Sequence, residues 1–151
     1  MSVNLTQGIQ QYSTFRVDDL LLGVEVTRVQ EVIRYQPMTV VPLAPCAVEG
    51  LINLRGQIVV ALDLRRSLGL PPAPAGTLPM NVVIQSEDSV VSFLVDDVGD
   101  VIDVPPETYA PVPENMPADQ RELIQCVHDL DDGLMLVLDT TRVLQNACFH
   151  V

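Results

Sequence analysis

Short apolar runs, separated by charged or proline-rich breaks, organise the whole chain. Tyr12-Ser-Thr-Phe-Arg-Val17 alternates as a half-buried strand does, Asp18-Asp19 reads as a turn, and Leu20 to Val26 reads as the return strand. Val26, Val29, Val32 and Ile33 fall at i, i+3, i+6 and i+7, which predicts a short helix or a tight turn with one apolar face. Pro37, Pro42 and Pro45 then break regular structure. Gly50 to Leu54 and Gln57 to Leu62 read as strands on either side of an Arg55-Gly56 hairpin turn. Asp63 is placed to cap a short helix, Leu64 to Leu68, that ends at Gly69.

Pro71-Pro-Ala-Pro-Ala-Gly76 is a stiff, exposed connector. After it come Met80 to Gln85, Ser89 to Val95 and Val98 to Val104, all strand-like. Residues 105–117 hold five prolines and read as a surface loop. Ile124 to His128 and Leu134 to Leu138 flank a turn at Asp131-Asp132-Gly133. Asp139 or Thr140 caps a final helix towards Cys148, expected to be short because the chain ends at Val151. Residues 1–11 read as a flexible lead-in, and 12–148 as one domain with an internal boundary near 71–79.

The two halves resemble each other. Val26-x-x-Val29-x-Glu31-Val32-Ile33 matches Val95-x-x-Val98-x-Asp100-Val101-Ile102 at an offset of 69. Leu62-Asp63-x-x-Arg66-x-Leu68 matches Leu138-Asp139-x-x-Arg142-x-Leu144 at an offset of 76. The order of the matches points to a duplication, hence to two small β-subdomains of about five strands each, with a groove between them. Chance matching of valine-rich stretches is the alternative.

Composition agrees with strands. There are 24 valines, no tryptophan and six aromatics, and valine suits a pleated surface. The net charge is −12, with eight arginines and no lysine. Nucleic acid and anionic membrane surfaces demand a basic footprint, so neither is an expected partner. Residues 1–75 are electrically neutral, and residues 76–151 carry the whole −12. Cys46, Cys126 and Cys148 show no C-x-x-C spacing, which suits a reducing cytoplasm. The start of the chain carries no signal-peptide pattern, and the longest uncharged run, Ser67 to Ser86, contains four prolines. No membrane insertion is expected.

Chemistry is hard to find. Cys126 and His128 share a face of a strand, but a nucleophile pair also requires an orienting group and a cleft. Cys126, His128, Asp129, Asp131 and Asp132 cluster without metal-ligand spacing, and Asp131-Asp132-Gly133 is explained by turn chemistry. The paired acids Asp18-Asp19, Asp96-Asp97 and Asp131-Asp132 sit at strand ends. The eight glycines form no phosphate-cradling loop. No enzyme activity, metal or cofactor is expected. One pair stands out: Arg55 lies between two apolar strands and Glu31 inside an apolar run. They either pair, locking the Gly50 region against Val29, or are unrelated surface charges.

Gly50-Leu-Ile-Asn-Leu-Arg-Gly-Gln-Ile-Val-Val-Ala-Leu-Asp-Leu64 resembles the signature of CheW domains, with Gly50, Asn53, Gly56 and Asp63 as its structural positions. Val29-Gln-Glu-Val-Ile33 and Val95-Asp-Asp-Val-Gly-Asp-Val101 resemble two further segments of that family. The resemblance implies a mainly β fold of two intertwined five-stranded SH3-like barrels with short helices. It also implies a chemotaxis adaptor that joins the cytoplasmic tip of chemoreceptors (methyl-accepting chemotaxis proteins) to the regulatory domain of a CheA-type histidine kinase. Receptor binding would use Val29, Glu31, Val32, Arg55 and Val98, with Glu31 and Arg55 paired. Kinase binding would use Met38, Thr39 and Val41. The prolines at Pro37 and in 71–79 depart from the pattern of an enteric adaptor, which leaves open a type IV pilus or other chemosensory-like pathway. The competing class is a small β-barrel enzyme or ligand carrier with a pocket between the subdomains, recognisable by converging polar groups.

Overall fold

Valine-rich strands without strict alternation are explained by burial on both faces, and the computed structural model shows how this arises. It describes residues 9–44, 47–86, 89–131 and 133–149, the last three as backbone. The expectations for residues 1–8, Cys46, the Cys148 side chain and Asp132 lie outside the described residues.

β1 (Gln10–Val17) and β2 (Leu20–Glu25) form a hairpin around Asp18-Asp19. Asp18 adopts a positive φ of 57° in that turn, a conformation Asp tolerates better than most residues. A 3₁₀ turn, Val26–Arg28, leads into β3 (Val29–Ile33). β4 (Val48–Leu54) and β5 (Gln57–Asp63) form the second hairpin, followed by the single helical turn α1 (Leu64–Ser67). β6 (Met80–Ser86), β7 (Ser89–Val95) and β8 (Asp97–Val104) come next. A two-residue strand, β9 (Tyr109–Ala110), the helical turn α2 (Ala118–Arg121), β10 (Ile124–Leu130), β11 (Gly133–Leu138) and α3 (Thr140–Phe149) complete the chain.

Two sheets result. One has six strands in the order β8-β1-β2-β11-β10-β9; the other has five, β3-β6-β7-β5-β4. The chain therefore crosses between them twice: from β2 into β3 through the 3₁₀ turn, and from β7 into β8 through Asp96. This crossing is what intertwines the halves.

One large cluster, including Phe15, Leu22 and Leu136 of the first sheet and Leu62, Ile84 and Phe93 of the second, lies between the sheets. Ile52, Leu54, Val59, Ala61, Val83 and Leu94 form a second cluster on the other face of the five-stranded sheet. Tyr12, Val104, Met135 and Val137 do the same for the six-stranded one. Each sheet thus buries both faces, so Val82-Val83-Ile84 is apolar throughout and fully buried. The buried amide Asn81 is satisfied by Ser92 Oγ, which donates to it at 2.7 Å, and by donating to the Arg34 carbonyl at 3.2 Å.

The internal repeat is a repeat in space. β2 and β11 pair in parallel with Leu22 opposite Leu136, and β7 and β5 pair in parallel with Val91 opposite Val60. Offsets of 69 and 76 carry the first pair onto the second. Bulges recur at Val48/Gly50 and Ile124/Cys126. The Asp63 N–H donates to the Ala47 carbonyl at 2.8 Å, and the Asp139 N–H to the Leu123 carbonyl, also at 2.8 Å.

Three elements differ from the sequence expectation. The span expected as a short helix or a tight turn divides: Val26–Arg28 is a 3₁₀ turn, and Val29–Ile33 is a strand in which a bulge between Val29 and Glu31 produces the helix-like spacing of its valines. The proline-rich loop after β8 contributes β9, giving one sheet a sixth strand. The closing helix runs ten residues and is the longest described.

Candidate functional site

The β4–β5 turn has two residues, Arg55 at φ 53° and Gly56 at φ 89°. Positive φ at both central positions is the hairpin geometry that matches strand twist, and glycine supplies it freely. Arginine does not: the left-handed region costs a non-glycine residue about 1–2 kcal/mol. Asn53 supports the turn by accepting the Gly56 N–H on its side-chain oxygen at 2.8 Å. The turn holds Arg55 up towards β3, where its guanidinium makes a forked bond to Glu31, Nη1 to Oε2 at 2.7 Å and Nη2 to Oε1 at 2.5 Å. Glu31 is 19 % exposed and Arg55 72 %, so the pair lies on the surface with the carboxylate sheltered. The forked hydrogen bond holds the Glu31 carboxyl below its usual range and raises Arg55.

Val29, Glu31 and Val32 share β3, an edge strand, while Val98 lies on β8, the edge of the other sheet. Val29 and Val98 each stand two residues past a crossing, and both pack at the rim of the cluster shared by the sheets. Val32 is exposed three residues further along β3, and Val101 is exposed at the same place on β8. Sequence reasoning did not assign Val101 to the site, although the offset of 69 already matched it to Val32.

Met38, Thr39 and Val41 are handled differently. Met38 packs inward against the core of the five-stranded sheet. Thr39 exchanges backbone hydrogen bonds with Leu51 of edge strand β4, at 2.8 and 2.9 Å. Val41 is half-buried and its carbonyl accepts the Ala44 N–H at 3.3 Å. The exposed apolar surface of this segment belongs to Val40 and to Leu43, which is fully exposed at φ 63°. No periodicity marked either residue.

Gly50 explains why this segment lies so close to β4. A Cβ there would stand 2.8 Å from the Thr39 carbonyl oxygen and 3.1 Å from Met38 Cβ. Asp63 accepts the Arg65 N–H at 2.9 Å and caps α1.

Two other clusters bear on chemistry. A cavity of about 420 Å³ lies under the proline-rich connector, bounded by β4, β5 and α1. Its charges are already paired: Arg65 with Asp96, and Arg66 with Glu49 at 2.7 Å and Asp63 at 3.4 Å. In the six-stranded sheet, His128 Nδ1 lies 2.8 Å from Thr108 Oγ1. Burial, then the charge of Glu25, pushes the Cys126 thiol up, the opposite of an activated nucleophile. Burial, then Cys126 and Glu25, raises Tyr12 to about 12. Among the described residues, no three His, Cys, Asp or Glu side chains gather as a metal-ligand set. No helix among them is long and apolar enough to cross a membrane.

Comparison with known proteins gives one consistent answer. The model of the CheW-like domain matches residues 11–148. A probable chemotaxis protein CheW of Rhizobium etli is 30 % identical over 136 residues, covering 90 % of this chain and 88 % of that protein. The chemotaxis protein CheW of Bacillus subtilis is 29 % identical over 144 residues, covering 95 % and 92 %. The crystal structure of the scaffolding protein TtCheW from Thermoanaerobacter tengcongensis superposes with a TM-score of 0.77 at 22 % identity, over 86 % of this chain and 88 % of that one.

Proposed function

Because the chain belongs to the CheW-like family, a family of chemotaxis scaffold proteins, we propose that it holds a chemoreceptor cytoplasmic tip and the regulatory domain of a CheA-type histidine kinase together in the cytoplasm. The observation that carries this reading is the Glu31–Arg55 fork beside the exposed valine of β3. A turn residue in an unfavourable backbone conformation is retained where its side chain is required. A receptor tip is a helical hairpin, and a helix laying an apolar stripe along Val29, Val32, Val98 and Val101 would be oriented by the adjacent fork. The kinase domain would meet the separate segment at Met38–Val41, with Val40 and Leu43 as its exposed apolar contacts. Joining both partners raises their effective concentration without any bond being made or broken.

The test is a reconstituted kinase assay with receptor membranes. Val29→Asp and Arg55→Ala are expected to remain folded by circular dichroism and to lose receptor control of the kinase. Normal control by both folded variants would overturn the assignment.

A further inference from the structure

The two crossings between the sheets are built differently. At the first, Val26–Arg28 forms a 3₁₀ turn whose middle residue is Thr27. At the second stands Asp96, the residue an offset of 69 maps onto Thr27. Asp96 is gripped from both sheets. On the six-stranded side its N–H donates to the Arg16 carbonyl at 2.9 Å, and its Oδ2 accepts the Asp18 N–H at 2.8 Å. On the five-stranded side Arg65 of α1 donates to both its oxygens, Nε to Oδ1 at 3.0 Å and Nη2 to Oδ2 at 2.5 Å. Arg65 is itself held: its side chain is 11 % exposed, and Nη1 donates to the Pro71 carbonyl at 2.7 Å. Thr141, which an offset of 76 maps onto Arg65, carries no charge. Among the described residues, one crossing is clamped by a planar, fixed-geometry ion pair and the Val26–Arg28 crossing is not. Burial pushes the Asp96 carboxyl up, but the bonds from Arg65 and the Asp18 N–H outweigh it and hold it low, so the clamp is charged at neutral pH.

Each crossing leads straight into a valine of the proposed receptor site: Thr27 precedes Val29 by two residues, and Asp96 precedes Val98 by two. We infer that Arg65 and Asp96 are positioning residues that fix Val98 and its edge strand β8 relative to the five-stranded sheet, and so set the shape of the receptor-binding surface without touching the receptor. This rests on the reading of that surface given above. A clamped crossing keeps Val98 in place when a helix binds.

The test uses the full chain with valine and isoleucine methyl groups labelled for NMR, comparing wild type with Asp96→Asn and the milder Arg65→Lys. Asp96→Asn retains an oxygen for the Asp18 N–H and removes the carboxylate that takes the Arg65 fork, leaving the more distant Asp18 carboxylate, 4.0 Å from Arg65 Nη2. The Val98 methyl resonances should shift and broaden, while those of Val29, of Ile52 in the five-stranded core and of Val137 in the six-stranded core stay put. Affinity for a soluble chemoreceptor-tip fragment should fall about tenfold, with affinity for an isolated CheA-type regulatory domain unchanged. Unchanged Val98 resonances in both variants would overturn the inference. So would changes spread evenly over all four reporters, or equal losses of both affinities in step with stability, which mark a merely structural ion pair. If the wild type itself does not bind the tip fragment, the receptor-site reading fails, and the methyl spectra still decide whether the clamp positions Val98.

Discussion

Glu31 and Arg55 stand on the two opposite edges of the same five-stranded sheet, and their forked hydrogen bond joins those edges. β3, which carries Glu31, is the first strand in the sheet order, and β4, which leads into Arg55, is the last. The pair thus links those edges beside the Thr39–Leu51 backbone bridge, by which the segment following β3 joins β4. Glu31 in the folded chain titrates below its ordinary value of 4.5. The stability it contributes is therefore complete above the ordinary carboxylate range and is lost as the pH falls through the lowered value. Arg55→Met is expected to unfold at lower urea than wild type at pH 7 and at nearly the same urea at pH 3. A gap between the two proteins that persists undiminished at pH 3 would show that the charge pairing is not what Arg55 contributes.

Gly50 controls whether the Met38–Val41 segment stays on the edge of β4. Gly50→Ala would drive a methyl into the Thr39 carbonyl, a backbone atom with no flexible end to move aside. A loss of about 1–3 kcal/mol is expected from such overpacking. The amide protons of Thr39 and Leu51, bonded to each other's carbonyls, should lose their protection from hydrogen exchange. Gly56→Ala is the contrasting case. Nothing lies within 4 Å of its missing Cβ, so its cost of about 1 kcal/mol comes from the φ of 89° alone and leaves the Thr39 and Leu51 amides protected. Equal exchange behaviour in the two variants would contradict this division.

The parts of this architecture that were legible in the chain are those governed by local chemistry. Asp18-Asp19, Arg55-Gly56, the Asp63 cap and the strand cores were readable because turn and cap residues act on their own backbone. The repeat was readable because both copies retain an Asp three residues before an Arg at the start of a helix: Asp63–Arg66 and Asp139–Arg142 each pair at i,i+3. The exchange of strands between sheets was not readable from these patterns, since nothing local to Val26–Arg28 or Asp96 records which sheet the next strand joins. The 3₁₀ turn and β3 read as one apolar-faced element because the bulge in β3 imitates helical spacing. The Arg65–Asp96 pair escaped notice because its partners are 31 residues apart and each sits in an ordinary turn or helix sequence. The Glu31–Arg55 pairing was left open by the residues alone and was implied only by family resemblance.

The two helix caps are expected to contribute alike, although Asp63 accepts the N–H two residues on and Asp139 the N–H three residues on. Asp63 accepts the Arg65 N–H at 2.9 Å, and Asp139 accepts the Arg142 N–H at 3.1 Å. Asp63→Ala and Asp139→Ala should each cost about 1 kcal/mol in urea unfolding, the usual loss on removing a side-chain cap. Cap bonds are local, so the double variant should lose about the sum of the two. A much larger effect at Asp139 than at Asp63 would mean that the ten-residue α3 carries more of the fold than the single turn α1.

His128 occupies the place in the six-stranded core that Ile52 fills in the five-stranded one, 76 positions earlier. It is buried, and its ring lies beside Tyr12 and edge-on to Tyr109 of β9. Thr108 Oγ1 donates its single proton to the Pro105 carbonyl at 2.7 Å, so the 2.8 Å contact with His128 is an Nδ1–H donated by the imidazole. Burial holds the ring's pKa below its ordinary 6.5. The unfolded chain therefore binds more protons just below pH 6.5, and the contribution of His128 to stability, complete above that value, is lost as the pH falls through the lowered one. Urea unfolding of the wild type should weaken between pH 7.5 and pH 5.5, and His128→Ile should flatten that slope. Proton exchange at the Ala110 and Tyr109 amides should report the same loss, because β9 is held to β10 through Val127 and His128. A wild-type slope that survives in His128→Ile would assign the pH dependence to the carboxylates instead.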